Sequence, residues 1–392
     1  MYVSKKISGT NATKLIKRSV NEENLSSLYI KEKLELHRRF FVKLIDEFLL
    51  IRQEADIIAV LHMLPDAIPF TEALMKIANI KSIIPKPKSI NKDIIRQFNQ
   101  ELIISIHREN IEGILNKTKN KTIFLDIGGY FSRIISELKE TLGDNFCGIV
   151  EDTENGLQKY EKKKIDFPFI SIAHSPLKEN EDMMVGQAIA YSAERLLRQY
   201  NILVNGLNVG IIGFGKIGIS VATSMRQKHA IVSIYYIDNI RLTHAVSSGF
   251  KASNKEKLLQ ESDIICLAIG NISLSDRDYI KLKNGCWVFS VTSSDDELDL
   301  QWLNQNYTTN KISQYVTKYS KDSHYFYLLN EGNAINFIHG TTVGDFILLV
   351  HAEIIISTYR LITGQQPNGY HELDKETKDK ICKIWLSIIK NI

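Results

Sequence analysis

Asn208-Val-Gly-Ile-Ile-Gly-Phe-Gly-Lys-Ile-Gly218 decides the fold of this chain. An apolar run, Val209–Ile212, leads into Gly213-x-Gly215-x-x-Gly218, and helix-forming residues follow to about Lys228. A second apolar run, Ile231–Ile237, comes next. Strand, glycine turn, helix and strand make the βαβ unit that binds a dinucleotide. Gly213 allows the tight turn, Gly215 lets a pyrophosphate approach the backbone, and Gly218 lets helix and strand pack closely. The helix start, with Lys216 and Ile217 in its first turn, offers N–H groups and a partial positive charge to the phosphates. The alternative is a structural βαβ unit without a ligand.

An acidic residue that grips the adenosine ribose belongs at the end of the second strand. The strand reads Ile234-Tyr235-Tyr236-Ile237-Asp238. Asp238 serves if the strand ends two residues late; otherwise it only caps the next helix. No Arg follows Tyr236 immediately to hold a 2′-phosphate, and Arg241 lies further on. This spacing predicts NAD rather than NADP.

The 392 residues are enough for two domains, and 44% hydrophobic content is ordinary for a globular protein. No apolar run reaches the roughly 18 residues of a membrane span. The polar, basic stretch Met1–Asn21 lacks the apolar centre of a signal peptide. The expectation is a cytoplasmic protein with no membrane partner. The net charge of +4 is small. The runs Lys14–Arg18 and Glu161–Lys164 read as solvated faces, so no nucleic-acid partner is expected. Cys147, Cys266, Cys286 and Cys382 are far apart with no CxxC, which points to buried thiols and to neither zinc nor a disulfide framework.

Residues 21–52 have helical periodicity, with Leu34, Phe40, Phe41, Leu44 and Phe48 among the apolar positions. Strands are predicted at 57–61, 80–84, 102–106, 122–125, 146–150 and 169–172, with helical segments between several of them. The second strand closes at Pro85-Lys-Pro87. A long helix is expected over 183–201. Beyond the glycine-rich unit, strands fall near 264–268 and 287–291, and a helix over about 343–363. The polar stretch 304–323 reads as loop. The alternation argues for an α/β chain with largely parallel sheets.

The segments around His62, Asp126, Glu151, Lys178, Gly213 and Asn336 together resemble S-adenosylhomocysteine hydrolase, in the same order over about 300 residues. The resemblance implies two Rossmann-like domains. A substrate domain is built from residues 1–185 with the C-terminal helices of 341–392, and an NAD-binding domain of 186–340 is inserted between them. It also implies a redox-assisted elimination. Bound NAD oxidises the ribose 3′-OH, the resulting ketone acidifies C4′–H, and loss of that proton expels the group at C5′. That chemistry needs bases at the 3′-OH and at C4′, and an acid or base near C5′.

By this resemblance His62, followed by Met63, lies near the C5′ leaving group, and Asp66 stands where the family has a substrate-gripping Glu. Lys178 and Asp182 match the pair that holds the ribose hydroxyls, the Lys helping to remove the 3′-OH proton. Glu151-Asp152-Thr153 resembles a Glu-Glu-Thr that contacts the ribose and the nicotinamide ends. Asn336 matches an Asn that binds the nicotinamide carboxamide. Read from the residues alone, His62 is equally a strand-end histidine, and Lys178 with Asp182 an i,i+4 helix pair.

Several positions depart from the family. Its Asp-Asp-Gly-Gly strand end reads Asp126-Ile127-Gly128-Gly129, so a catalytic acid/base role falls on Ile127. Asp126 cannot simply substitute, because neighbours on a strand point to opposite faces, and it is left as a substrate-binding candidate. The Glu for the NAD ribose is Tyr236, the Asn-Ile-Gly-His segment reads Ser290-Val-Thr-Ser293, and the Lys/Tyr tail that reaches a neighbouring protomer's NAD is absent. Two functions follow from this mixture. One is an NAD-dependent enzyme that acts by 3′-oxidation on a nucleoside-like substrate with altered chemistry. The other is a catalytically silent NAD- or nucleoside-binding regulatory homologue. A homodimer or homotetramer is expected, through the apolar stretch Phe346–Ile356.

Overall fold

The computed structural model describes residues 30–105, 107–115, 118–292, 297–336, 338–339 and 343–392. Lys14, Lys17, Arg18, Ile106 and Ser293 lie outside the described residues. The chain divides into two compact units. One ends at Ala173 and resumes at Leu348; the other runs from His174 to Ile347.

The first unit opens with a helix over residues 30–47. It buries Phe40, Phe41 and Leu44. Six strands follow in this unit: β1 (Ala55–Met63), β2 (Asn79–Ile90), β3 (Lys121–Asp126), β4 (Phe146–Glu151), β5 (Pro168–Ser171) and, from the C-terminal part, β14 (Gly369–His371). They form one sheet in the order β14-β5-β4-β3-β1-β2. Every neighbouring pair is parallel. β1 and β3 are buried at nearly every position, as their unbroken apolar runs require of parallel strands covered on both faces. The chain leaves β1 toward β2 on one side and continues through β3 on the other. The carboxyl ends of β1 and β3 therefore flank the switch point, where ligands bind in open α/β sheets.

The second unit holds β6 (Asn208–Ile212), β7 (Ile231–Tyr235), β8 (Lys251–Ala252), β9 (Ile264–Leu267), β10 (Cys286–Ser290), β11 (Thr308–Ser313), β12 (Val316–Lys321) and β13 (His324–Leu329). Their order is β11-β12-β13-β10-β9-β6-β7-β8. β8, β7, β6, β9, β10 and β13 are parallel. β11 and β12 add an antiparallel extension. The switch point lies between β6 and β9, the crevice of a dinucleotide fold. Both units are thus α/β and doubly wound, and the second is Rossmann-like.

Three elements differ from the sequence expectation. The polar stretch 304–323 is not loop: it ends a helix, Leu300–Asn306, and then supplies β11 and β12. β11 is exposed on both faces, so its β-branched threonines stand without the apolar alternation that marks a buried strand. β2 runs through Pro85 and Pro87 to Ile90. It is an edge strand, where a missing N–H donor costs no ladder bond. Of the strand expected at 102–106, the described residues give a 3₁₀ turn over Gln100–Leu102 and an isolated bridge from Ile103 to Ile83.

The C-terminal helix Ile347–Ile362 buries Leu348 through Thr358 without interruption. Of the apolar stretch Phe346–Ile356, Leu348–Ile356 is thus covered within its own chain. Among the described residues no helix is long and apolar enough to cross a membrane.

Candidate functional site

The second unit's crevice is shaped by its glycines. Gly213 has φ +110°, and a Cβ there would lie 2.3 Å from the Ala268 carbonyl oxygen. The residue is glycine because the turn after β6 is pressed against the end of β9. At Gly218 a Cβ would meet the Gly213 carbonyl at 2.7 Å, which is the close helix–strand packing the spacing predicts. Gly215 is different: a Cβ there would meet only an Arg241 nitrogen, at 3.3 Å. Gly215 is the N-cap of the helix Lys216–Gln227, and no side chain caps that end. First-turn amides of such a helix have no intrahelical acceptor and suit an anion. Ile217 is anchored against the unit's core.

The helix Lys178–Arg198 starts earlier than its sequence suggests and lies in this same unit. It approaches the glycine-turn helix at Gly186, where a Cβ would come within 2.4 Å of the Ser220 side chain. Ser220 Oγ donates to the Met183 carbonyl at 2.7 Å. This contact brings residues far apart in sequence together. Asp182 Oδ2 faces Lys216 Nζ at 3.9 Å. Lys178, buried at the helix start, pairs with Glu181 at 2.6 Å, so the pair is i,i+3 and not the i,i+4 partner Asp182.

Asn336 is buried, and among the described residues its Oδ1 has no hydrogen-bond partner. Ile335 beside it is packed in the cluster of Ile189, Phe289 and Val291. A buried carbonyl oxygen left unpaired costs roughly 1–3 kcal/mol unless something donates to it. A glycine cradle, an uncapped helix start and an orphaned amide in one unit fit a dinucleotide with an amide at its far end.

The cradle has a support that motif reading does not reveal. Glu297 is fully buried. Its carboxylate accepts from Ile269 N at 2.9 Å, Gly270 N at 2.6 Å, Thr292 Oγ1 at 3.1 Å and Ser273 Oγ. Burial raises its pKa while these donors oppose the rise. Glu297 therefore ties the loop after β9 to the segment after β10. That loop begins next to Ala268, against which Gly213 turns.

Asp238 lies past β7 and caps the helix Asn239–Ser247, accepting from Ile240 N at 2.8 Å. Its other oxygen is 3.8 Å from Arg241 Nε. The sequence left a ribose role and a capping role open; the capping bond is formed.

In the first unit His62 stands near the carboxyl end of β1, half-buried, with Nδ1 2.6 Å from Ser89 Oγ. Asp66 precedes the helix Ala67–Ile77 without capping it. Its carboxyl is pushed up by burial, and His351 Nε2 stands 3.8 Å away, stacked on Phe70. The carboxyl ends of β3 and β4 carry a denser cluster. Asp126 accepts from Tyr130 N, Phe131 N and the Tyr160 hydroxyl, at 3.0, 2.9 and 2.6 Å. Glu151 accepts from Gly128 N and Gly129 N, each at 3.0 Å, and from Thr153 N and Oγ1, each at 2.7 Å.

Both carboxylates are buried, and the donors that surround them belong to the chain itself. Together they fold the loop Asp126–Phe131 over the strand ends. Burial and the neighbouring Asp126 charge raise Glu151 to about 8, and burial raises Asp126. Thr153 caps the helix Glu154–Glu161 through Gly156 N at 3.0 Å. Asp152 is buried beside it, its amide donating to the Asp126 carbonyl.

Residues 191–342 match the family model for the S-adenosyl-L-homocysteine hydrolase NAD binding domain. The match covers the second unit and supports a relationship of the chain to the S-adenosylhomocysteine hydrolase-like superfamily. That unit is an NAD-binding domain, and the chain's cofactor is NAD.

Solved structures with a similar fold include a dipicolinate synthase component from Bacillus halodurans, at 14% identity and TM-score 0.44, covering 65% of this chain and 88% of that one. Dipicolinate synthase from Bacillus subtilis matches at 11% identity and TM-score 0.46, covering 81% and 99%. A putative D-3-phosphoglycerate dehydrogenase oxidoreductase from Ralstonia solanacearum matches at 12% and 0.46, covering 82% and 97%. Likenesses this distant say nothing about activity.

The departures from the resembled family now have places in the fold. Ile127, where the resemblance puts an acid/base, packs in the first unit's core with Phe131 and Leu157. Tyr236 packs against the second unit's core beyond the end of β7. Glu297 and Arg241 were not singled out as site residues from sequence. A lone glutamate in a polar stretch carries no spacing signal, and Arg241 reaches the turn only because the helix after β7 folds back.

Proposed function

We propose that the protein is an NAD-dependent enzyme that oxidises the 3′-hydroxyl of a nucleoside-like substrate, with chemistry at C5′ that differs from S-adenosylhomocysteine hydrolysis. The observation that carries this reading is the Gly186–Ser220 contact, which sets the Lys178–Asp182 turn against the glycine-turn helix. Bound NAD supplies the hydride acceptor. Lys178 takes the proton of the 3′-hydroxyl, and the Glu181 carboxylate beside it stabilises the ammonium that forms. Asp182 accepts from the vicinal hydroxyl. Asn336 Oδ1, which has no donor among the described residues, would accept from the carboxamide of the nicotinamide. In the first unit, by the same resemblance, His62 is the group for the C5′ leaving group, Asp66 the substrate-gripping acid and Asp152 the acid that can stand in for the one missing at Ile127, while Asp126, Glu151 and Thr153 hold the loop over that unit's strand ends.

Ile127 brings no proton acceptor to C4′, and loss of a general base costs roughly 10²–10⁴ in rate. Release of homocysteine from S-adenosylhomocysteine should therefore be slight. The test is the partial reaction. NAD-loaded protein mixed with adenosine or 5′-substituted analogues should accumulate bound NADH, visible in the near ultraviolet, and Lys178→Met should abolish the signal. Failure of every such nucleoside to give NADH would sink the redox reading. Equal NADH from Lys178→Met would remove that lysine's role while leaving the enzyme class.

One observation favours the second reading, a silent binding homologue. The carboxylates of Asp126 and Glu151 are consumed by the chain's own donors, and Ile127 is core. A protein of that kind would bind NAD and nucleoside without any change in the redox state of the cofactor.

A further inference from the structure

Arg241 is the third residue of the helix Asn239–Ser247, six residues beyond the end of β7. The helix carries it back to the glycine turn. Its guanidinium carbon lies 5.9 Å from the centre of the Tyr236 ring. One of its terminal nitrogens would be 3.3 Å from a Cβ on Gly215. Its Nε is 3.8 Å from Asp238 Oδ2. These contacts enclose the corner beside the glycine turn and the end of the following strand, where the adenosine ribose of a dinucleotide is held.

The corner lacks the strand-end carboxylate that NAD selectivity requires and holds an Arg, with Asp238 beside it. A carboxylate at the strand end would bond the 2′-hydroxyl and repel a 2′-phosphate; an Arg nearby accommodates the phosphate. The strand end here is Tyr235-Tyr236, without charge. Asp238 has one oxygen in the cap to Ile240 N, and the other faces Arg241. Arg241 keeps about half of its side chain exposed, at 52%. Its planar fork of N–H donors suits two phosphate oxygens at once, and the Tyr236 ring gives the cation a face to rest on.

We propose that Arg241, seated beside Tyr236 and over Gly215, forms a 2′-phosphate site, so that the domain takes the 2′-phosphorylated dinucleotide NADP as well as NAD. The sequence points the other way because Arg241 is read by its distance along the chain; the turn into the helix closes that distance. The inference rests on the cofactor domain and not on oxidation of a nucleoside.

The experiment is equilibrium titration of the full-length protein with NAD and with NADP, at low and at moderate salt. The expected result is NADP affinity within about tenfold of NAD, with NADP weakened more by salt. Arg241→Gln should weaken NADP by tenfold or more and NAD by no more than about twofold, since charge-assisted bonds to a phosphate are the strong ones. Tyr236→Glu, which places an acid at the strand end, should move preference toward NAD. NADP binding more than a hundredfold weaker than NAD in the parent protein would overturn the proposal, and so would equal losses for both cofactors in Arg241→Gln. Binding of neither would overturn it together with the cofactor assignment. Binding of both with no NADH formed from any nucleoside would leave it standing and sink the redox reading.

Discussion

Gly186 and Ser220 lie so close that a Cβ on the glycine would come within 2.4 Å of the serine Cβ and 2.5 Å of its Oγ. This single contact fixes how far the helix Lys178–Arg198 slides along the glycine-turn helix. Asp182 lies about one turn before it and Lys178 about two.

Gly186→Ala should therefore destabilise the protein although alanine is the better helix former. Intrinsic propensity favours Ala by roughly 1 kcal/mol. Overpacking opposes it by roughly 1–3 kcal/mol. A net loss in thermal or urea unfolding, weaker NAD binding, and recovery of both in Gly186→Ala with Ser220→Gly are the expected outcomes. A more stable Gly186→Ala would show that the helices separate without cost.

Glu297 should matter as much as the glycines. Glu297→Ala leaves two backbone amides and two hydroxyls without their acceptor in a buried place. Each orphan costs roughly 1–3 kcal/mol unless water replaces the carboxylate. Unfolding free energy should fall by about 3 kcal/mol or more, and NAD affinity by about tenfold. Glu297→Gln should lie between, because its amide presents one acceptor oxygen but aims an NH₂ at other donors. An alanine variant that unfolds and binds NAD like the parent would show that the loop after β9 holds itself.

Local pattern carried most of the fold and little of the pairing at the site. The glycine spacing of 213, 215 and 218 specifies turn, helix and crevice because each requirement is local to the backbone. The apolar runs of β1 and β3 are legible for the same reason. Lys178 with Asp182 is the natural pair on a lone helix, yet Lys178 takes Glu181 and Asp182 turns to Lys216. Packing at Gly186 decides that, and packing is not written in a helix's own period. Asp126 and Glu151 stand at strand ends, where ligand groups are expected. Tyr160, 34 residues on, and the amides of Gly128 and Gly129 draw them inward. Arg241 reaches the glycine turn by a fold-back that linear distance hides.

The Glu151–Asp126 pair gives the first unit a pH dependence with a definite sign. Burial and Asp126 hold the folded Glu151 carboxyl at about 8, against an ordinary value of 4.5. Between those values the unfolded chain has released its proton and the folded chain has not. The unfolded state binds fewer protons there, so stability falls as pH rises from about 4.5 to about 8 and levels beyond. Urea midpoints followed by Trp385, which belongs to this unit, should decline over that window. Glu151→Gln cannot ionise and should flatten the decline, at a lower stability near the acid end. An equal slope in both proteins would assign the dependence to other groups.

Gly213 and Gly215 should separate folding from cofactor binding. At Gly213 the backbone has φ +110° and a Cβ would lie 2.3 Å from a backbone oxygen, so Gly213→Ala strains the turn and collides with β9's end. The variant should unfold earlier and lose NAD. At Gly215, φ is −81° and only the far end of Arg241 is near. An alanine there fits the protein by itself once that flexible side chain moves aside. It does not fit a pyrophosphate pressed against the backbone, which is what the second glycine of this turn admits. Gly215→Ala should keep the parent's unfolding midpoint and lose NAD affinity by at least about tenfold. Parent-like NAD binding by Gly215→Ala would mean that the phosphates do not cross this turn, and the dinucleotide would have to be placed elsewhere in the domain.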